Sequence, residues 1–73
     1  MISKNNINQK IFSIIEIFKQ KKFDKVINQC NELLLEGYKI PVLYNLVGAS
    51  YSFKSEHYKA IDFYLKAKNL DPN

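Results

Sequence analysis

A widely spaced pattern between Tyr44 and Pro72 constrains the fold more than any other feature of this 73-residue chain. Its intervals follow W-x2-L-G-x2-Y, then A-x3-F, then P, which together mark a 34-residue helical hairpin. The matching positions are Tyr44, Val47, Gly48, Tyr51, Ala60, Tyr64 and Pro72. Because small residues let helix backbones approach and tyrosines pack as amphipathic wedges, we expect two helices that cross near Gly48 and Ala60.

In these residues the chain resembles the tetratricopeptide repeat family, whose helical hairpins serve as interaction scaffolds. The resemblance is close over about 34 residues. A shift by one repeat places Ile27 on Ile61, but it also places Lys10 on Tyr44 and Ile14 on Gly48. We therefore expect one domain over residues 1–73, with a degenerate repeat at about 4–38 and a well-matched repeat at about 41–73. Packing in the degenerate repeat should be looser, because Ile14 stands where the pattern has glycine.

Apolar periodicity predicts four helices. The first carries an apolar stripe of Ile7, Ile11, Ile14, Ile15 and Phe18, widened by Phe12 and Ile17. Asp24 and Ser55 are the expected N-caps of the second and fourth helices, and Gly37 suits the left-handed position after the second. The predicted spans are Ser3 to Lys19, Asp24 to Glu36, Pro41 to Phe53, and Ser55 or Glu56 to Pro72. The expected fold is all-α, with tandem antiparallel helical hairpins that form a short α-solenoid segment of two units.

Composition argues against nucleic-acid and membrane partners. The net charge is +4, but all eleven basic residues are lysines, whereas arginine is the preferred reader of phosphates and guanine edges. Abundant Ile, Asn and Lys share A/T-rich codons, which explains the basic charge without a partner. No apolar run approaches the roughly 18 residues of a membrane span, and the first residues do not resemble a signal peptide. One cysteine suits a reducing environment, so we expect a cytoplasmic protein.

The residues that support catalysis or metal binding are sparse. His57 is the one histidine and Cys30 the one cysteine, and they fall on different predicted helices. The chain has no glycine-rich phosphate loop and no H-E-x-x-H pattern. We therefore expect no catalytic residue, no cofactor and no metal, with His57 as a semi-exposed packing residue near a helix start and Cys30 as a small buried apolar residue.

The family resemblance implies a concave face lined by the first helix of each repeat, which holds a protein or peptide. The implied residues are Asn8, Ile11, Ile15, Phe18, Lys19, Val42, Asn45, Ala49, Ser52 and Phe53. Ile11 and Ile15 occupy places where some family members clamp a terminal carboxylate, so a receptor for chaperone tails is disfavoured. The alternative, that Ile11, Ile15, Phe18 and Phe53 are packed rather than open to a ligand, stays open.

A second expected surface comes from repeat stacking. Helical repeats bury their faces against neighbours and usually need three or more units. Ile61, Tyr64 and Leu70 are expected to face a missing neighbour, which a longer array or a second copy would supply. Helix exchange across the Gly37–Pro41 link is one route by which a second copy would cover this face.

Three functions follow from this reading. The leading one is a non-catalytic protein–protein interaction module, the N-terminal part of a longer array. One alternative is a structural segment that self-associates as a homo-oligomer. The other is a repeat region attached to an enzyme, such as a transferase, that lies outside this chain.

Overall fold

The computed structural model describes residues 5–71, and within that range the chain is all-helical with no strand. The four helices are α1 (Asn5–Lys19), α2 (Phe23–Leu35), α3 (Pro41–Phe53) and α4 (His57–Leu70). The all-α prediction of consecutive helical hairpins is confirmed, and the end of α1, both ends of α2 and α3 and the start of α4 lie within two residues of their predicted positions. The predicted start at Ser3 and the predicted stop at Pro72 lie outside the described residues.

The core lies around α3, which packs against each of the other three helices. Leu43 and Val47 of α3 are fully buried against side chains of α1 and α2. The buried cluster consists of Ile14, Val26, Ile27, Cys30, Leu33, Leu43 and Val47. Full burial of one such aliphatic side chain is worth about 1.5–3 kcal/mol, so this shared cluster holds the two hairpins together.

The α3–α4 hairpin is closely packed at Gly48. A Cβ atom there would lie 2.9 Å from two ring carbons of Tyr64 and 3.2 Å from the carbonyl oxygen of Ala60. Ala60 is itself buried, so the predicted close crossing is confirmed. The α1–α2 hairpin has fewer close backbone approaches than α3–α4. This agrees with Ile14, a bulky residue, at the position that corresponds to Gly48.

Both hairpins turn with the same backbone geometry, 34 residues apart. Lys21 and Ser55 each adopt φ 65°, in the left-handed region. Each turn has the two hydrogen bonds of a Schellman motif, in which the chain reverses just after a helix. The donor N–H groups and acceptor carbonyls are Lys21 to Phe18 at 2.9 Å, Lys22 to Ile17 at 3.3 Å, Ser55 to Ser52 at 3.0 Å and Glu56 to Tyr51 at 2.9 Å. The 34-residue period of the sequence is thus also present in the backbone conformation of the two turns.

Gly37 ends α2 in the same way. It adopts φ 105°, its N–H donates to the Leu34 carbonyl at 3.0 Å, and the Tyr38 N–H donates to the Leu33 carbonyl at 3.1 Å. The predicted left-handed glycine is therefore confirmed.

The two predicted N-caps are wrong. Lys22 and Glu56 occupy the N-cap positions of α2 and α4, and neither makes a side-chain capping hydrogen bond. Ser55 is held one residue earlier by the left-handed turn, and Asp24 lies inside the first turn of α2. Ser55 is used as the left-handed residue that ends α3, so α4 begins two residues later, and α2 begins one residue before Asp24.

Candidate protein-interaction surfaces

An apolar groove lies between α1 and the start of α3, with a volume of about 490 Å³. Its lining residues are Asn8, Ile11, Phe12, Ile15, Ile40 and Val42. The structure therefore brings together four of the residues expected on the concave face, namely Asn8, Ile11, Ile15 and Val42. Among the described residues, no charged side chain lines this groove. We call it the α1/α3 groove.

Phe12 and Ile40 complete the groove and were missed as binding residues. Phe12 was expected to widen the apolar stripe of the first helix, but the residue is 69% exposed. Ile40 precedes Pro41 in extended backbone, with φ −102° and ψ 130°. The extended backbone of Ile40 was predictable from sequence, because a residue before proline is pushed toward extended conformations.

The other end of the expected concave face is filled by the protein's own aromatic rings. Phe23 stacks on Phe53 with ring centroids 5.0 Å apart, and Phe18 meets both edge-on at 5.5 and 5.8 Å. Beside this aromatic cluster, Lys54 pairs with Asp24 and, at 3.6 Å, with Glu56. The hydrogen bond with Asp24 raises the pKa of Lys54 above its usual value. Phe18 and Phe53 therefore contact Phe23 rather than lining the α1/α3 groove, and Phe53 remains 67% exposed.

The remaining expected residues form a more polar stretch. Asn45 is exposed, whereas Ala49 and Ser52 are half-buried. Lys19 is exposed and forms an ion pair with Glu16 at 3.3 Å. Asn45 and Ser52 offer hydrogen bonds and Lys19 carries a cation, but none of the four lines the α1/α3 groove.

The residues expected at a stacking face divide between two sides of α4. Ile61 and Leu70 are nine positions apart, and at about 100° per residue they point in nearly opposite directions. Tyr64 lies near Ile61, with its ring against Gly48. Tyr58 and Leu65 are exposed on the Ile61 side. The structure therefore separates Leu70 from the other two and adds Tyr58 and Leu65 to their side.

The two residues considered for catalysis, Cys30 and His57, differ in burial. Cys30 is fully buried, and burial raises the pKa of its thiol to about 12, which keeps it protonated. His57 is exposed at the first position of α4. Within residues 5–71, no group of three or more His, Cys, Asp and Glu side chains is arranged to hold a metal ion. None of the helices in that range is long and apolar enough to cross a membrane.

Comparison with known proteins adds no relative. No protein-family model matches the chain, and neither a curated protein nor a solved structure shows significant similarity to it.

Proposed function

We propose that this chain is a non-catalytic protein–protein interaction module of the tetratricopeptide type, and that its α1/α3 groove holds an apolar peptide segment of another protein. The observation that carries the proposal is the groove itself, an apolar channel with Phe12 exposed along it. Contiguous exposed apolar surface of this kind marks interaction sites in proteins. The two turns have the same backbone geometry and lie 34 residues apart, which supports the repeat assignment.

The lining residues indicate the chemistry of the peptide. Ile11, Ile15 and Val42 offer aliphatic contacts, and Phe12 offers a ring on which an aromatic or aliphatic side chain can pack. Asn8 is the polar member and suits a backbone hydrogen bond. This set favours a peptide with two or three large apolar side chains over one held by its terminal carboxylate.

Charge favours acidic residues beside the apolar ones. Lys19 is the charged member of the expected concave face, and the chain carries a net charge of +4. Opposite charge mainly accelerates association and improves specificity, while the apolar contacts provide most of the affinity. The proposal includes a cytoplasmic setting, membership of a longer repeat array and no cofactor.

Selection of peptides from a random displayed library tests this function. We expect enriched peptides to combine large apolar and acidic residues. On titration of such a peptide, backbone amide NMR signals of Ile11, Phe12, Ile15 and Val42 should shift. Phe12→Ala should weaken binding by about tenfold, equivalent to about 1.4 kcal/mol, without unfolding the chain, because Phe12 is largely exposed.

Leu35→Ala is the matched control, because Leu35 is 88% exposed and lies on α2, away from the groove residues. It should leave the peptide affinity unchanged. Failure to enrich any peptide, or shifts confined to residues of α4, would contradict the proposed function.

A further inference from the structure

The outward side of α4 carries a second, larger run of exposed apolar side chains, which we call the α4 stripe. It consists of Tyr58, Ile61, Tyr64 and Leu65, residues that are 92%, 54%, 40% and 52% exposed. Their spacing of three and four residues places them along one side of the helix. Tyr64 is at the edge of the stripe, where its ring lies against Gly48 of α3, and the other three residues are each more than half exposed.

The first hairpin shows what happens to such positions when a helix covers them. Thirty-four residues before Ile61 and Tyr64 stand Ile27 and Cys30 of α2. Both are buried in the core cluster, into which α3 inserts Leu43 and Val47. Ile61 stands at such a position but is 54% exposed, whereas Tyr64 is partly covered where its ring meets Gly48 of α3. The counterparts of Tyr58 and Leu65 are Asp24 and Asn31, so these two residues add apolar surface that the first hairpin lacks.

The size of the α4 stripe is enough for a weak dimer. A large side chain presents roughly 200 Å² when fully exposed, so the exposed fractions leave between roughly 400 and 500 Å² of side-chain surface. This lies within the range of roughly 300–600 Å² for the largest apolar patch on a typical monomer, and such patches are often functional. Two such stripes, with the residues at their rim, approach the roughly 1,200 Å² of the smallest specific interfaces.

The opposite end of the molecule does not offer a matching surface. The residues of α1 that correspond to the buried Leu43, Val47 and Ser50 of α3 are Gln9, Ser13 and Glu16, all polar and exposed. Docking α4 of one copy on α1 of the next would bury these groups without partners, which is costly. Contact between two α4 stripes instead buries apolar surface against apolar surface.

We propose that a second copy of this chain docks on the α4 stripe, with α4 against α4 in a closed two-fold dimer. An antiparallel arrangement centred between Ile61 and Leu65 keeps the two Lys68 ammonium groups at opposite ends of the interface. It also places each helix dipole against its opposite. This inference goes beyond the proposed function and does not depend on it, since the α1/α3 groove is formed by other residues.

Sedimentation of the intact chain from about 5 to 200 µM tests the dimer, because interfaces at the small end of the range are typically weak. We expect a monomer–dimer equilibrium. Leu65→Asp and Tyr58→Asp should each weaken self-association at least tenfold. Tyr58 is nearly fully exposed, so its variant keeps the test valid if Leu65→Asp unfolds the chain. Far-UV circular dichroism checks that each variant is folded.

Leu70→Asp and Leu35→Asp are the matched controls, each replacing an exposed leucine outside the α4 stripe. Both should dimerise like the original chain, and so should Phe12→Ala. A folded monomer throughout the concentration range overturns the proposal. So does open-ended assembly, which indicates head-to-tail contact. Loss of the dimer in Leu70→Asp but not in Tyr58→Asp overturns it as well.

Discussion

Gly48 lies where α3 and α4 cross, and its missing side chain is what permits their approach. The Ala60 carbonyl oxygen, 3.2 Å from an added Cβ, belongs to a helix backbone and cannot easily move. The Tyr64 ring, at 2.9 Å, is at the partly exposed end of a side chain and can rotate away. The backbone contact therefore limits substitution at Gly48.

Gly48→Ala is expected to lower the free energy of unfolding by about 1–3 kcal/mol, the usual cost of overpacking. This is opposite in sign to the gain of about 1 kcal/mol that helix propensity alone would give. Urea denaturation monitored by circular dichroism measures the change. Adding Tyr64→Ala to Gly48→Ala should not restore stability, because the contact with Ala60 remains. An alanine variant as stable as the original chain would show that the helices can separate at no cost.

At the scale of elements, the helix-ending turns carry backbone strain at two positions. Lys21 and Ser55 adopt left-handed φ values, which cost an L-residue roughly 1–2 kcal/mol. Lys21→Gly and Ser55→Gly should each raise the free energy of unfolding by about 0.5–1 kcal/mol, after the greater freedom of glycine in the unfolded chain is subtracted.

Gly37→Ala is the internal control, and we expect it to lower the free energy of unfolding instead of raising it. Apart from its own chain neighbours, no residue has an atom within 4 Å of a Cβ added at Gly37, so a loss of about 1 kcal/mol would arise from backbone strain alone. Thermal and urea unfolding of all three variants give the comparison. If Lys21→Gly or Ser55→Gly were destabilising, the side chains at these turns would have to make contacts that outweigh the strain.

Helix positions were predictable from sequence, because a 3.6-residue apolar period reflects burial of one side of each helix. The caps were not, because Asp24 and Ser55 have suitable side chains but the turns close through backbone hydrogen bonds. The α1/α3 groove was predictable in part. Neighbouring residues such as Ile11 and Phe12 are both apolar, so periodicity does not separate a core position from a groove position. Only the packing of α1 against α3 shows that Phe12 is exposed.

At the scale of the whole molecule, the shared core predicts that both hairpins unfold together. Leu43 of α3 is fully buried in a cluster that includes Ile14 of α1 and Val26 of α2. Cys30 of α2 lies in the same cluster, and its buried thiol, with a pKa raised to about 12, resists modification while the core is intact. Helix content and thiol protection therefore report on the same core by independent signals.

Leu43→Ala should lower the free energy of unfolding by about 2–5 kcal/mol, because it removes buried methyl groups and leaves a cavity. The loss of helical circular dichroism and the exposure of Cys30 to a thiol reagent should occur at the same urea concentration, in the original chain and in the variant. Leu35→Ala, on the exposed side of α2, should change stability by less than about 0.5 kcal/mol. If the Cys30 thiol reacts while the helical signal persists, the first hairpin opens alone and α3 does not couple the two.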